Sequence, residues 1–428
     1  MTKSWRRRRN HARLRRLRRF FLLVPAALIL MAAFAWGASS YEVPRNRRAS
    51  EVLAPSLISG PHFRVRDQVV ADGYMYRFTV DSDFGTFAVG GEYGLRKLIK
   101  EIQAIAALRR VGQGQAVLTG ARQQGRETLQ FGAHLVTNPV NTLASVPQGV
   151  AKLFSNISSG LNNTHDPRRD TIAEKVLNVS DAKRRVAYDL GVDVYSSNRV
   201  LQNELDRVAR AQGLGSLGVS AAIPYGGGAA VNLSRMSRTA RETNRLLRDE
   251  SPGTLHTLNL QKLQAMGVDR GLAERFLSHF AFTPRHDTII VACLERLSGA
   301  RGRDAFIRFA LAAHDEESAN FFQNMAETLR AYHETVSPIR EIFVPGVLMA
   351  QAANGAVLIP FPLDHAVWSL RAERAVKNSQ AAYRASRRGP AKFELWVTGT
   401  LSPLARQHFQ AQGIKVVEHV DRRIGMMD

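Results

Sequence analysis

The side chains with the clearest chemical potential lie late in the chain. Asp364 and His365 are adjacent, a carboxyl beside an imidazole, where a hairpin pattern gives way to a helical one. A carboxyl and an imidazole are side chains that a hydrolase or transferase can use. Further on, Thr398-Gly399-Thr400-Leu401-Ser402 follows a strand pattern and precedes a helix pattern. That position collects anions in α/β folds, since unpaired backbone N–H groups and the helix dipole point at it. Ser402 is also a good helix N-cap, which accounts for it without a ligand. Asp364, His365 and Ser402 are thus the candidate catalytic residues if the chain is a hydrolase or transferase.

A second group is His314, Asp315, Glu316 and Glu317, followed by Glu327, His333 and Glu334, on a pattern that reads as one helix from Asp304 to Val336. His314 and Glu317 stand three apart, the spacing used by metal-binding helical bundles, and are the candidate metal ligands. Those bundles need the motif from more than one helix, and no second one is evident, so a solvated charged face is the simpler reading. Gly213-Leu214-Gly215-Ser216-Leu217-Gly218 spells the dinucleotide fingerprint, but it follows the helical NELDRVARAQ instead of a strand. Pro224 and Gly226 to Gly228 come after it, so it reads as a glycine-rich connection. The single Cys293 excludes an intramolecular disulfide framework and paired-thiolate zinc, and its apolar setting marks a core residue. No phosphate-binding loop, nucleophile elbow, HExxH pair or CxxC is present, so neither cofactor nor metal is expected.

The elements that must position these residues can be read from local pattern. Ser40 to Gly60 carries Arg45, Arg47, Arg48 and two prolines without a sustained period, and reads as a tether. Phe63 and Val65, then Tyr74, Tyr76, Phe78 and Val80, alternate as in strands, with turn residues at Ala71 to Gly73 and Asp81 to Gly85. This predicts three short antiparallel strands. Leu95, Leu98, Ile99, Ile102, Ile105 and Leu108 predict an amphipathic helix over Glu92 to Arg110. Residues 111–165, rich in small residues and divided by Pro139 and Pro147, read as short packing segments, with membrane-surface contact as the alternative. From 166 to 340 the text is mostly helical, over 170–190, 200–212, 234–249, 259–266, 271–280, 283–297 and 304–336. Thr283-Pro284 is a strong start signal. In the remainder, Asn354-Gly355 between apolar flanks predicts a hairpin over Val347 to Phe361. A helix over Asp364 to Arg384 follows, and then strand Phe393 to Thr398, helix Ser402 to Gln412 and strand Ile414 to Glu418 form a right-handed βαβ unit. The fold class is therefore α+β and predominantly helical, comprising an N-terminal membrane helix, a β meander with a helix over 61–110, a bundle-like helical region over 166–340, and a C-terminal α/β layer over 341–428.

Charge supplies the rest. The formal net charge is +22, from 59 basic and 37 acidic residues, and 45% of the chain is apolar, enough for a real core. Ten cations and no acid occupy residues 1–19, which reads as a basic cytoplasmic tail. Phe20 to Trp36, extended through Ser39, is an uncharged run of membrane-spanning length. Basic residues before it predict N-inside orientation, with the body on the far side. An anchor at residues 20–39 is the leading reading, and a cleaved export signal is its rival. Arg18-Arg19-Phe20-Phe21-Leu22 fits part of a twin-arginine signal, which chance explains in so arginine-rich a tail. The sequence thus predicts an inner-membrane-anchored or exported envelope protein. Its body would be a noncatalytic scaffold or binding module for an envelope protein or anionic partner. The alternatives are the hydrolase or transferase above and a basic nucleic-acid-binding protein, the latter disfavoured by the apolar run behind the arginines.

Overall fold

The computed structural model describes residues 41–118, 179–213, 238–386 and 391–423. The basic tail, the run 20–39, most of 111–165 and Leu214 to Gly218 lie outside the described residues. Among the described residues, no helix is long and apolar enough to cross a membrane. The body from Val43 onward forms one unit. Its fold is mixed α+β, and about 54% of the described residues are helical.

Residues 47–60 depart from the tether expected of them. They form β1 (Arg47–Arg48), α1 (Ala49–Val52), α2 (Pro55–Ile58) and β2 (Ser59–Gly60), and bury Ala49, Leu53 and Leu57. Those three share a core with Phe63 and Val65 of β3 (Phe63–Val65), Val69 of β4 (Gln68–Ala71), and Phe78 and Val80 of β5 (Tyr76–Ser82). Three apolar positions were enough to pull a polar-looking segment onto a sheet face, a gain of roughly 1.5–3 kcal/mol for each Leu buried. The sheet runs β1-β4-β5-β3-β2, and β6 (Gly85–Gly90) closes a hairpin on the other edge of β5. Helix α3 (Gly91–Leu118) lies on it through Leu95, Leu98, Ile99 and Ile102. The apolar stripe outruns the sheet. Ile105 and Leu108 enter a separate core with Val186 of α4 (Asp181–Asp189) and Leu201, Leu205 and Val208 of α5 (Arg199–Gly213). One helix therefore ties the meander to the helical region.

The central helices are α6 (Arg238–Asp249), α7 (Pro252–Ala265), α8 (Arg270–Leu277), α9 (Pro284–Arg296), α10 (Arg303–Ala310) and α11 (Glu316–Thr335). Thr283 caps α9 in a reciprocal capping box with His286, and Ile289, Ile290, Val291, Cys293 and Leu294 are buried. The single helix expected over 304–336 is two, broken at Leu311 to Asp315. Asp315 caps the second, accepting from the Ser318 N–H at 2.8 Å while Ser318 reaches back to the Asp315 N–H at 3.0 Å. That Asp-x-x-Ser box competes with helix continuation and wins.

The C-terminal sheet has the order β13-β11-β9-β8-β7. β7 (Ile339–Phe343), β8 (Met349–Ala352) and β9 (Ala356–Phe361) are antiparallel, with Gly355 at φ +86° in the β8–β9 turn. Between β9 and β11 come β10 (His365–Ala366) and α12 (Leu370–Ser386). The helix expected from Asp364 starts later because β10 pairs in parallel with β12 (Thr400–Leu401). β11 (Lys392–Val397) runs parallel to β9 and to β13 (Ile414–Val417), and α13 (Pro403–Ala411) is the crossover of the expected βαβ unit. One sheet face packs on α11, where Tyr332 meets Trp396 at 4.9 Å between rings. The other buries Tyr383 of α12 against Phe393.

Candidate functional site

The chain's chemistry-bearing side chains converge where the meander, the start of α11 and the β10–β12 loops meet. The anchor of this junction is the tight approach of Thr398 to Ser402 against Leu363 to Ala366. Thr398 Oγ1 accepts from the Leu363 N–H at 2.9 Å and donates to the Leu363 carbonyl at 2.8 Å. Gly399 passes so close that a Cβ there would lie 2.0 Å from the Asp364 carbonyl oxygen. His365 Nδ1 is 2.9 Å from Thr400 Oγ1, and its ring is parallel to that of Tyr76 at 6.2 Å.

This clamp aims the Asp364 carboxyl at the meander. It accepts the backbone N–H of Tyr76 at 2.8 Å and that of Glu92, in the first turn of α3, at 3.0 Å. Burial pushes its pKa up to about 7, helped by the negative charges of Glu92 and Glu317 and opposed by the two N–H donors. Burial, then Asp364 itself, pushes the Tyr76 hydroxyl up to about 12. Asp364 is thus a carboxyl able to take up and release a proton near neutrality. His365 meets Thr400 and the Tyr76 ring while Asp364 takes the Tyr76 backbone N–H, so both neighbours bear on the same residue through different atoms.

The junction continues along α11. Glu317 accepts from both ends of the Arg77 guanidinium, at 2.6 and 3.2 Å, and Arg77 also reaches Asp72 at 3.4 Å. Glu316 holds Lys97 of α3 at 2.6 Å, and Lys97 is 3.2 Å from Asp193. Burial opposes the Lys97 charge, but Glu316, Asp193 and Glu101 outweigh it and hold the ammonium well above the usual lysine range. Glu101 accepts from Ser196 at 2.6 Å and Asn198 at 3.0 Å, and burial raises its pKa. The Ser197 hydroxyl donates to Glu316. His286 lies 3.0 Å from Asn320 Oδ1 and is lowered by burial and by the Lys97 charge, so this imidazole is held neutral.

The sequence candidates fall as follows. Ser402 is a buried cap, its Oγ accepting the Ala405 N–H at 3.0 Å. The N–H groups expected to bind an anion have acceptors within the protein: Thr400 donates to the Asp364 carbonyl, Leu401 to the Glu418 carboxylate and Ser402 to the Ala366 carbonyl. The anion at this helix start is the chain's own Glu418, held in turn by Arg406 at 2.8 and 2.9 Å. His314 precedes the cap of α11 while Glu317 lies inside it, so they share no helical face and Glu317 turns to Arg77. Among the described residues, no group of three or more His, Cys, Asp or Glu is arranged to hold a metal. Cys293 is buried and its thiol is pushed up by burial. Gly213 ends helix α5, which puts a helix where a dinucleotide site needs a strand; the rest of that motif lies outside the described residues.

Lys97, Glu101, Asp193 and Arg77 were not singled out from sequence. One signal was available. Lys97 and Glu101 stand four apart, directly beside Leu98 and Ile102 on the buried face of a helix, and a charge so placed needs a partner.

Set against models of protein families, curated proteins and solved structures, the chain matches none.

Proposed function

We propose that the protein is an envelope component held at the inner membrane by residues 20–39. Its N-terminus lies in the cytoplasm, and its body on the far side acts as a noncatalytic scaffold or binding module. The observation that carries the location is the uncharged run behind ten cations and no acid. The noncatalytic reading is supported by how the ionisable groups of the junction are used. Glu317, Glu316 and Asp193 each bond a cation from a distant part of the chain, so their charge is committed to holding parts of the body together, and Asp364 accepts two backbone N–H groups across the same junction. A carboxyl turned onto backbone N–H groups and a serine used as a cap do not assemble a nucleophile with its base.

The test is fractionation of the full chain carrying a C-terminal reporter that works only beyond the inner membrane, with the mature N-terminus sequenced. Membrane retention, an active reporter and a native N-terminus are expected. A soluble cytoplasmic product refutes the placement, and a new N-terminus just beyond residue 35 replaces the anchor with an export signal.

A further inference from the structure

Helix α12 has two sharply different faces. Ala372, Ser379, Gln380 and Tyr383 are turned into the protein, while Arg371, Arg374, Lys377, Asn378 and Arg384 are exposed. On a helix of 3.6 residues per turn the four cations recur along the side opposite the buried one, over about 20 Å. The helix's single acid, Glu373, sits at the stripe's margin, its side chain 18% exposed and paired with Lys377. The exposed face is basic, with Ala381 and Ala385 among the charges.

Its place in the fold gives it a partner. The body begins beside this helix: a Cβ on Gly73 would lie 3.1 Å from Pro44 and 3.8 Å from Val367, which stands three residues before α12. The Tyr74 hydroxyl bonds Ser369 and feels the Arg371 charge. Leu370, 42% exposed, and Val43, 78% exposed, are large apolar side chains left in water at the same end. Between Ser39 and Pro44 the chain can span at most about 18 Å. Residues 47–60 are folded onto the sheet and add nothing to that reach.

We propose that the exposed stripe of α12 rests against anionic phospholipid headgroups, with Arg371, Arg374, Lys377 and Arg384 meeting the phosphates and Leu370 entering the interface. This rests on the reading of residues 20–39 as a bilayer anchor, which supplies the nearby surface. Phosphate oxygens suit guanidinium donors, and each cation near an anionic surface adds roughly a fivefold preference for it.

The test uses the full chain in phosphatidylcholine vesicles with and without phosphatidylglycerol. An environment-sensitive label is placed at Asn378→Cys and quenched by a headgroup-borne quencher; the native Cys293, being buried, stays unlabelled. Quenching should be strong with phosphatidylglycerol and fall at least fivefold without it. It should fall similarly in high salt and in the R371Q/R374Q/K377Q/R384Q chain, whose surface changes leave the fold intact by circular dichroism. A second label at Ala38→Cys reads the anchor separately. If it stays in water while Asn378→Cys still responds to phosphatidylglycerol and to the four cations, the stripe stands and the anchor falls. No quenching at position 378, or quenching indifferent to lipid charge and to the cations, overturns the proposal. So does salt-sensitive duplex DNA binding lost in the quadruple variant without any lipid response.

Discussion

Asp364→Asn should change how stability depends on pH more than it changes stability itself. In the folded protein this carboxyl is moved from 3.8 to about 7, chiefly by burial. A raised folded pKa means the contribution to stability is full below 3.8 and is lost as pH climbs through about 7. From pH 5 upward the slope is about 1.4 kcal/mol per unit until it falls away around the folded pKa, about 2.7 kcal/mol in all by pH 8. The side chain keeps some contact with solvent, which reduces this to roughly 1.5–2.5 kcal/mol. Asparagine removes this dependence because it does not titrate. Its amide also turns an NH2 donor toward one of the Tyr76 and Glu92 N–H groups, where either carboxyl oxygen keeps a lone pair to accept, a loss of about 1–2 kcal/mol. The variant should therefore be the less stable protein at pH 5 and equal to or better than the parent at pH 8. The assay is urea unfolding of both full chains in mild detergent at pH steps from 5 to 8. Tryptophan fluorescence is a suitable signal, because Trp368 and Trp396 are buried in the two cores flanking the C-terminal sheet. Curves that stay parallel across that range would refute the assignment of Asp364 as a carboxyl whose ionised form the junction disfavours.

Gly399→Ala should cost about 3 kcal/mol or more, because the added methyl meets the Asp364 backbone and not a movable side chain; a change under 1 kcal/mol in the same unfolding assay contradicts the close approach. Lys97→Met should destabilise by about 3–5 kcal/mol by leaving Asp193 and Glu316 without their cation, and adding Glu316→Gln should return part of that loss in a double-mutant cycle; additive effects exclude the pairing. Cys293 should resist alkylation at pH 8 in the folded protein and react at once in urea, as mass spectrometry would record, since burial both hides the thiol and raises its pKa.

Local signals were legible where a few adjacent residues set the backbone. Thr283-Pro284, Ser402-Pro403 and Asn354-Gly355 mark two helix starts and a hairpin turn, and each stands where its chemistry puts it. The stripe from Leu95 to Leu108 marks α3, because core-facing residues on a helix must recur every three or four positions. The unbroken helix over 304–336 failed for an equally local reason, the Asp315 to Ser318 capping box being masked by apolar spacing on both sides. Residues 47–60 read as a tether because their three core residues are spread among arginines, serines and a proline, and nothing local says that a sheet face waits for them.

What the sequence by itself determined is the set of elements and the charge map: strands and helices with their caps, the basic tail, the uncharged run behind it and the single thiol. Those follow from side-chain periodicity and from capping, which act over a turn or two. Only the tertiary structure decided what the ionisable residues do. Asp364 finds its N–H partners 288 and 272 positions away, and Glu317 finds Arg77 240 away. Charge energetics depend on which groups are brought together out of water, and that is a property of the packed chain.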